Sequence, residues 1–213
     1  MRVLKNASRL YSVTDKISRD TYERFGIQSV PNPPGFEELG KTDIKNKIQR
    51  IVSISMWDTG RNPFFFIELE KVLTDYEILL LGNWRNEEYY DLFTRSLPEN
   101  TRIKVKTNIS EEEKQSLIGE SKFLVRFGDL EYGLATAVVE SISYGTPVII
   151  NSSLGTADII KKFEAGYVLD SADPRVVARI LSENTEQNYD QLLENVATLR
   201  KSRTWKDHTV KLL

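Results

Sequence analysis

The stretch Asp129–Asn151, DLEYGLATAVVESISYGTPVIIN, decides the fold, because it joins an acidic segment to a helix start, a tight turn and a buried strand. Gly133 stands where the backbone must come close to something, and Leu134–Tyr144 carries Val138, Val139 and Ile142 on one side at helical spacing. The first-turn N–H groups of such a helix lack intrahelical partners and can meet an anion. Gly145, Thr146 and Pro147 end the helix, and Val148–Ile150 is the short apolar run of a strand buried on both faces. On its own the segment also fits a purely structural reading. A glutamate near a helix start and a Gly-any-Pro turn before a valine-rich strand occur in many α/β domains.

Working outward, the alternation continues. Strands are predicted at Arg50–Met56, Glu77–Gly82, Arg102–Lys106, Lys122–Phe127 and Tyr167–Leu169. Helices are predicted at Asn62–Leu73, Glu87–Ser96, after Ser110, at Thr156–Phe163, and from about Pro174, Glu186 and Thr204. Ser110 with Glu113 forms a capping box. Strands and helices in this order predict an α/β, doubly wound, Rossmann-like parallel sheet covered on both faces. Ligands of such sheets sit beyond the carboxyl ends of the strands.

The first fifty residues behave differently. Leu10–Val13 reads as a strand, and Asp15–Phe25 as a helix that Thr14 starts and Gly26 ends. VPNPPGFEE, from Val30, then holds three of the seven prolines, which predicts an extended connection between domains.

The segment Glu140–Ile149, with Glu131 and Gly133 ahead of it, resembles the donor-site signature of family 4 glycosyltransferases of the GT-B fold. In that signature Glu-any-Phe-Gly precedes a second glutamate and then Gly-any-Pro-Val-Ile. Glu131 and Glu140 enclose eight residues where the family usually has seven. Other segments resemble the family in the right order over about residues 50–213. SISMWDTGRNPFFFIELEKVL is similar to the first strand, phosphate loop and first helix of the donor domain, with Arg61 where lysine is usual. KTNISEEEKQSLI is similar to the loop whose backbone, here at Asn108 and Ile109, meets the nucleobase. SSLGTADII resembles a glycine-containing loop followed by an acidic residue, here Asp158, and RTWKDHTVKLL resembles the terminal tryptophan helix.

The resemblance implies the C-terminal half of a GT-B fold and a retaining hexosyltransferase using a UDP-sugar or GDP-sugar, without a cofactor or a metal. Glu140 would accept from the ribose hydroxyls, as a carboxylate can accept two O–H bonds at once. Glu131 would meet the sugar hydroxyls, and Gly133, Leu134, Ala135 and Thr136 the phosphate. Arg61 would ease departure of the diphosphate. The family often has a second cation, an arginine at the end of the first strand, where Met56 stands here. Arg126, at the end of its own strand, is the candidate replacement. Residues 1–40 would be the end of an acceptor domain plus the interdomain linker, and 41–213 the nucleotide-sugar-binding domain. The acceptor half would then be supplied in cis or by a partner chain, and would take an acceptor glycan or lipid-linked sugar. A noncatalytic nucleotide-sugar-binding or interaction module of the same fold, or a nucleotide-sugar epimerase, are the alternatives.

Composition fits a soluble intracellular domain. The chain has 213 residues, 40% hydrophobic and 28% charged, enough for one sizeable core plus an appendage. Lys and Arg number 29 against 31 Asp and Glu, with no basic tract, which argues against nucleic-acid binding. No cysteine is present, so disulfides and thiol chemistry are excluded. MRVLKNASRL lacks a signal peptide's apolar core, which reads as a cytoplasmic location, with peripheral contact at the inner face of a membrane left open. His208 is read as a surface residue, the Phe64–Phe66 run as helix packing, and Trp84 as packing at a loop edge.

Overall fold

The computed structural model describes residues 9–33, 35–36, 47–128 and 135–210. A small unit comes first. Strand β1 (Tyr11–Ser12) leads into helix α1 (Asp15–Phe25) and returns as β2 (Val30–Pro31), parallel to β1. Thr14 caps α1 by accepting from the Ile17 N–H at 3.1 Å, and Gly26 ends it in the left-handed conformation at φ 64°. Both boundaries agree with the sequence reading.

The main body alternates strand and helix: β3 (Ile48–Ile54), α2 (Phe64–Val72), β4 (Glu77–Leu81), α3 (Glu87–Arg95), β5 (Ile103–Lys106) and α4 (Glu111–Glu120). Then come β6 (Ser121–Arg126), α5 (Thr136–Ser143), β7 (Val148–Asn151), α6 (Ala157–Phe163) and β8 (Gly166–Leu169). Three helices follow, α7 (Pro174–Glu183), α8 (Glu186–Ser202) and α9 (Trp205–Val210). The six strands are all parallel in the order β5-β4-β3-β6-β7-β8, so the winding reverses between β3 and β6. This is the doubly wound sheet the sequence predicts.

Successive strand residues feed opposite faces, as the period of 2 requires. Ile51, Leu80, Val125 and Ile149 join Phe66, Leu69, Phe93 and Val177 on one side. Their neighbours Val52, Leu79, Leu124 and Ile150 join Ile118, Val138, Ile142 and Ile160 on the other. Helix α8 serves both cores, giving Leu192 and Leu193 to the first and Val196 and Leu199 to the second.

Some boundaries move. β3 ends at Ile54 rather than Met56, yet its exit stays paired: the Trp57 N–H donates to Asn83 O at 2.8 Å and the Arg85 N–H to Trp57 O at 3.0 Å. Helix α2 starts at Phe64 rather than Asn62, because Asn62 has φ 25° after a 3-10 turn at Thr59–Arg61. Pro63 is therefore the N-cap. Only half of the capping box forms. Ser110 Oγ accepts from the Glu113 N–H at 3.1 Å, while the Glu113 carboxylate turns to Lys106 Nζ at 2.6 Å.

The N-terminal unit is fastened to the main body. Arg19 pairs with Asp158 at 2.8 Å, Asn32 Nδ2 donates to His208 O at 3.2 Å, and the Phe36 N–H donates to Arg203 O at 2.9 Å. His208 is not simply a surface residue. It is half-buried, and its Nδ1 lies 3.0 Å from Pro33 O, an acceptor, so Nδ1 donates.

Candidate functional site

Beyond the carboxyl ends of β3, β6 and β7 lies a cleft of about 730 Å³, where the winding reverses. Its walls include Ser53, Trp57, Arg61, Phe65, Arg126, Gly128, Asn151 and Ser153. Each has a local reason for its place. Trp57 is fully buried, donates Nε1–H to Leu81 O at 2.9 Å, and meets Phe66 edge to face at 6.0 Å. That anchor fixes the turn that follows. Asp58 caps the 3-10 turn by accepting from the Arg61 N–H at 3.1 Å, and its carboxylate pairs with Arg61 Nη1 at 3.0 Å and Arg85 Nη1 at 3.4 Å.

Arg126 closes β6 and is buried, with Nη1 donating to Phe127 O at 2.6 Å. The chain leaving β6 is clamped from β7. Asn151 Nδ2 and Ser153 Oγ both donate to Gly128 O, at 2.9 and 2.8 Å, and the Gly128 N–H donates to Asn151 Oδ1 at 3.3 Å. Two guanidinium side chains thus border one concave space with aromatic walls. Such a space suits an anion, since low-dielectric walls strengthen the attraction.

Helix α5 carries the signature. Among the described residues no side chain caps its start at Ala135, which is buried, and Thr136 is exposed. Neither residue, nor Glu140, lines the cleft among the described residues. Glu140 is half-buried, and its Oε1 accepts from Lys114 Nζ at 2.9 Å. Lys114 also pairs with Glu111 at 2.6 Å. Burial pushes the Lys114 ammonium down, but the hydrogen bonds and charges of Glu111 and Glu140 outweigh it, so its pKa is raised. Glu131, Gly133 and Leu134 lie outside the described residues.

Asn108 adopts φ 53°, and its N–H donates to Asn83 Oδ1 at 3.4 Å, while Ile109 packs against the α4–α5 core. Asn108 borders a second hollow of about 380 Å³ with Asn83, Trp84 and Tyr90. Trp84 is held there by Phe93 at 5.1 Å and Tyr90 at 5.3 Å, so it both packs a loop edge and walls that hollow. Asp158, paired with Arg19, lies outside both spaces. Asp58, Asn151, Ser153 and Lys114 were not singled out by the sequence. Asp58 alone left a usable signal, an N-cap residue three positions before Arg61. Among the described residues no group of His, Asp and Glu could hold a metal, and no helix is long and apolar enough to cross a membrane.

Residues 37–183 match the family described as "Glycosyl transferases group 1". The chain belongs to the group 1 glycosyl transferases. No curated protein sequence matches it. Solved structures of glycosyltransferases share the fold of this chain. WaaG, a glycosyltransferase involved in lipopolysaccharide biosynthesis, is 16% identical with a TM-score of 0.72, covering 98% of this chain and 62% of WaaG. HepE from Anabaena, solved in complex with UDP and glucose, is 13% identical with a TM-score of 0.80, covering 99% of this chain and 63% of HepE. The pneumococcal O-GlcNAc transferase GtfA, solved with UDP and GlcNAc, is 14% identical with a TM-score of 0.77, covering 95% and 43%. The chain therefore spans less than two thirds of the length of these solved relatives.

Proposed function

We propose that this chain is the donor-binding part of a retaining hexosyltransferase, which takes a hexose from a UDP-sugar or GDP-sugar and passes it to an acceptor hydroxyl. The observation that carries the reading is the pair Arg61 and Arg126 bordering one cleft at the point where the sheet's winding reverses. A diphosphate leaving group gathers charge mainly in the transition state, where fixed cations help most. Met56 leaves the end of β3 without a cation and is exposed; Arg126, at the end of the neighbouring strand β6, takes over that work. Glu140 accepts from the ribose diol, the backbone at Asn108 and Ile109 meets the base, the start of α5 at Ala135 and Thr136 meets the phosphate with Gly133 and Leu134, and Glu131 holds the sugar. That HepE and GtfA were solved with UDP and a sugar supports this assignment.

Acceptor binding belongs to a second domain, in cis or on a partner chain, with residues 1–40 as the end of that domain plus the interdomain linker. A noncatalytic donor-binding module is the second reading, favoured by Met56 and by the engagement of Arg61 with Asp58. The test is release of nucleoside diphosphate and formation of glycosylated product, by this chain alone and with an acceptor domain supplied. Little or no transfer alone and restored transfer with the second domain supports the enzyme. Donor binding that never leads to product in either form favours the module.

A further inference from the structure

The ion pair between α4 and α5 is what the reading above leaves unused. Lys114 Nζ stands 2.9 Å from Glu140 Oε1 and 2.6 Å from Glu111 Oε2. The Lys114 side chain is 12% exposed and that of Glu140 31%, against 80% for Glu111. Ile118 of α4 and Val138 and Ile142 of α5 belong to one buried apolar core, so the docking of α4 on α5 has a support besides this pair. Partly exposed ion pairs contribute little to stability in any case. What the pair does is fix a carboxylate. A glutamate side chain has three rotatable bonds, and holding one oxygen removes the orientational freedom that a ligand would otherwise have to freeze.

We propose that Lys114 is the positioning residue of the ribose subsite: it holds Oε1 of Glu140, so that Oε2 accepts one ribose hydroxyl in a preset direction. The proposal rests on the reading of Glu140 as the ribose acceptor. A free carboxylate takes a vicinal diol with both oxygens, whereas a carboxylate with one oxygen engaged takes one hydroxyl strongly and the other weakly. The two hydroxyls of the ribose are therefore recognised unequally. An ammonium has three N–H donors, and two of those of Lys114 are engaged among the described residues.

The test is calorimetric titration of the full chain with UDP, 2′-deoxy-UDP, 3′-deoxy-UDP and 2′,3′-dideoxy-UDP, for wild type, Lys114→Met and Lys114→Arg, with melting curves to confirm folding. In the wild type, one monodeoxy nucleotide binds about tenfold more weakly than UDP and the other less than about threefold, as the loss of one charge-assisted hydrogen bond requires. Lys114→Met reduces the larger of these losses to about threefold or less and leaves the dideoxy nucleotide unchanged; Lys114→Arg, which keeps a cation there, restores part of the discrimination. Combining Lys114→Met with Glu140→Gln adds nothing to Glu140→Gln alone. A folded Lys114→Met with undiminished discrimination, tighter UDP binding, or equal weakening for all four nucleotides overturns the proposal while leaving Glu140 in its role. A wild type that binds all four equally overturns both.

Discussion

Gly82 lies directly against Ser55: a Cβ on Gly82 would fall 2.1 Å from the Ser55 carbonyl oxygen. Gly82 also has φ 106°, a conformation that side chains disfavour. The contact lets the segments leaving β3 and β4 run side by side and seats Trp57, whose Nε1–H reaches Leu81 O. Gly82→Ala should therefore lower stability by about 2–4 kcal/mol, combining strain at a special backbone position with a forced shift of the neighbouring strand. Urea denaturation of the variant measures it, and a loss below about 0.5 kcal/mol would contradict the close approach.

The two signature glutamates should separate in binding. Glu140→Gln should weaken a nucleoside diphosphate itself by about 1–3 kcal/mol, through loss of charge-assisted hydrogen bonds. Glu131→Gln should spare the free nucleotide and weaken only the sugar-bearing donor. Titration of both variants with UDP and a UDP-sugar decides this. Equal losses for both ligands in the Glu131 variant would show that Glu131 does not serve the sugar.

The cleft arginines should act on turnover more than on affinity. With the acceptor domain supplied, Arg126→Lys should reduce kcat by about 10- to 100-fold with a smaller change in donor affinity, because a lysine cannot reproduce a guanidinium's paired donors toward developing charge. The comparison is single-turnover rate against Kd. A change confined to Kd would place Arg126 outside the reacting diphosphate.

Lys47 gives the fold a pH dependence. Its Nζ donates to Gly119 O at 2.6 Å and Thr146 Oγ1 at 2.7 Å; burial, helped by the charge of Arg200, lowers its pKa from 10.5 to about 7. The unfolded chain then holds more protons than the folded one between about pH 7 and 10.5, so stability rises with pH across that window and the penalty is full below it. Wild type should gain about 1–2 kcal/mol more than Lys47→Met between pH 7 and 10, a figure reduced from the full shift for relaxation around the ammonium. Parallel curves for the two proteins would show that Lys47 does not titrate there.

Legibility in the sequence followed the range of the interaction. Helix α1 was readable at both ends because Thr14 and Gly26 act within a turn of it. The start of α2 was not, since Asn62 takes φ 25° only once Asp58 and Arg61 have closed the turn before it. The sheet was legible from its apolar runs, and the position of Arg126 from the end of its strand. Pairs distant in sequence left no mark: Arg85 reaches Asp58 across 27 positions, Lys114 reaches Glu140 across 26, and His208 reaches Pro33 across 175.

A cleft bordered by Arg61 and Arg126 that takes a sugar nucleotide, as proposed, should bind one without an acceptor. Calorimetry of the unmodified chain against UDP- and GDP-sugars, with thermal shift alongside, tests it most directly. Binding of at least one of them with a Kd between about 1 μM and 1 mM is the predicted result. No heat and no thermal shift with any of them would contradict it.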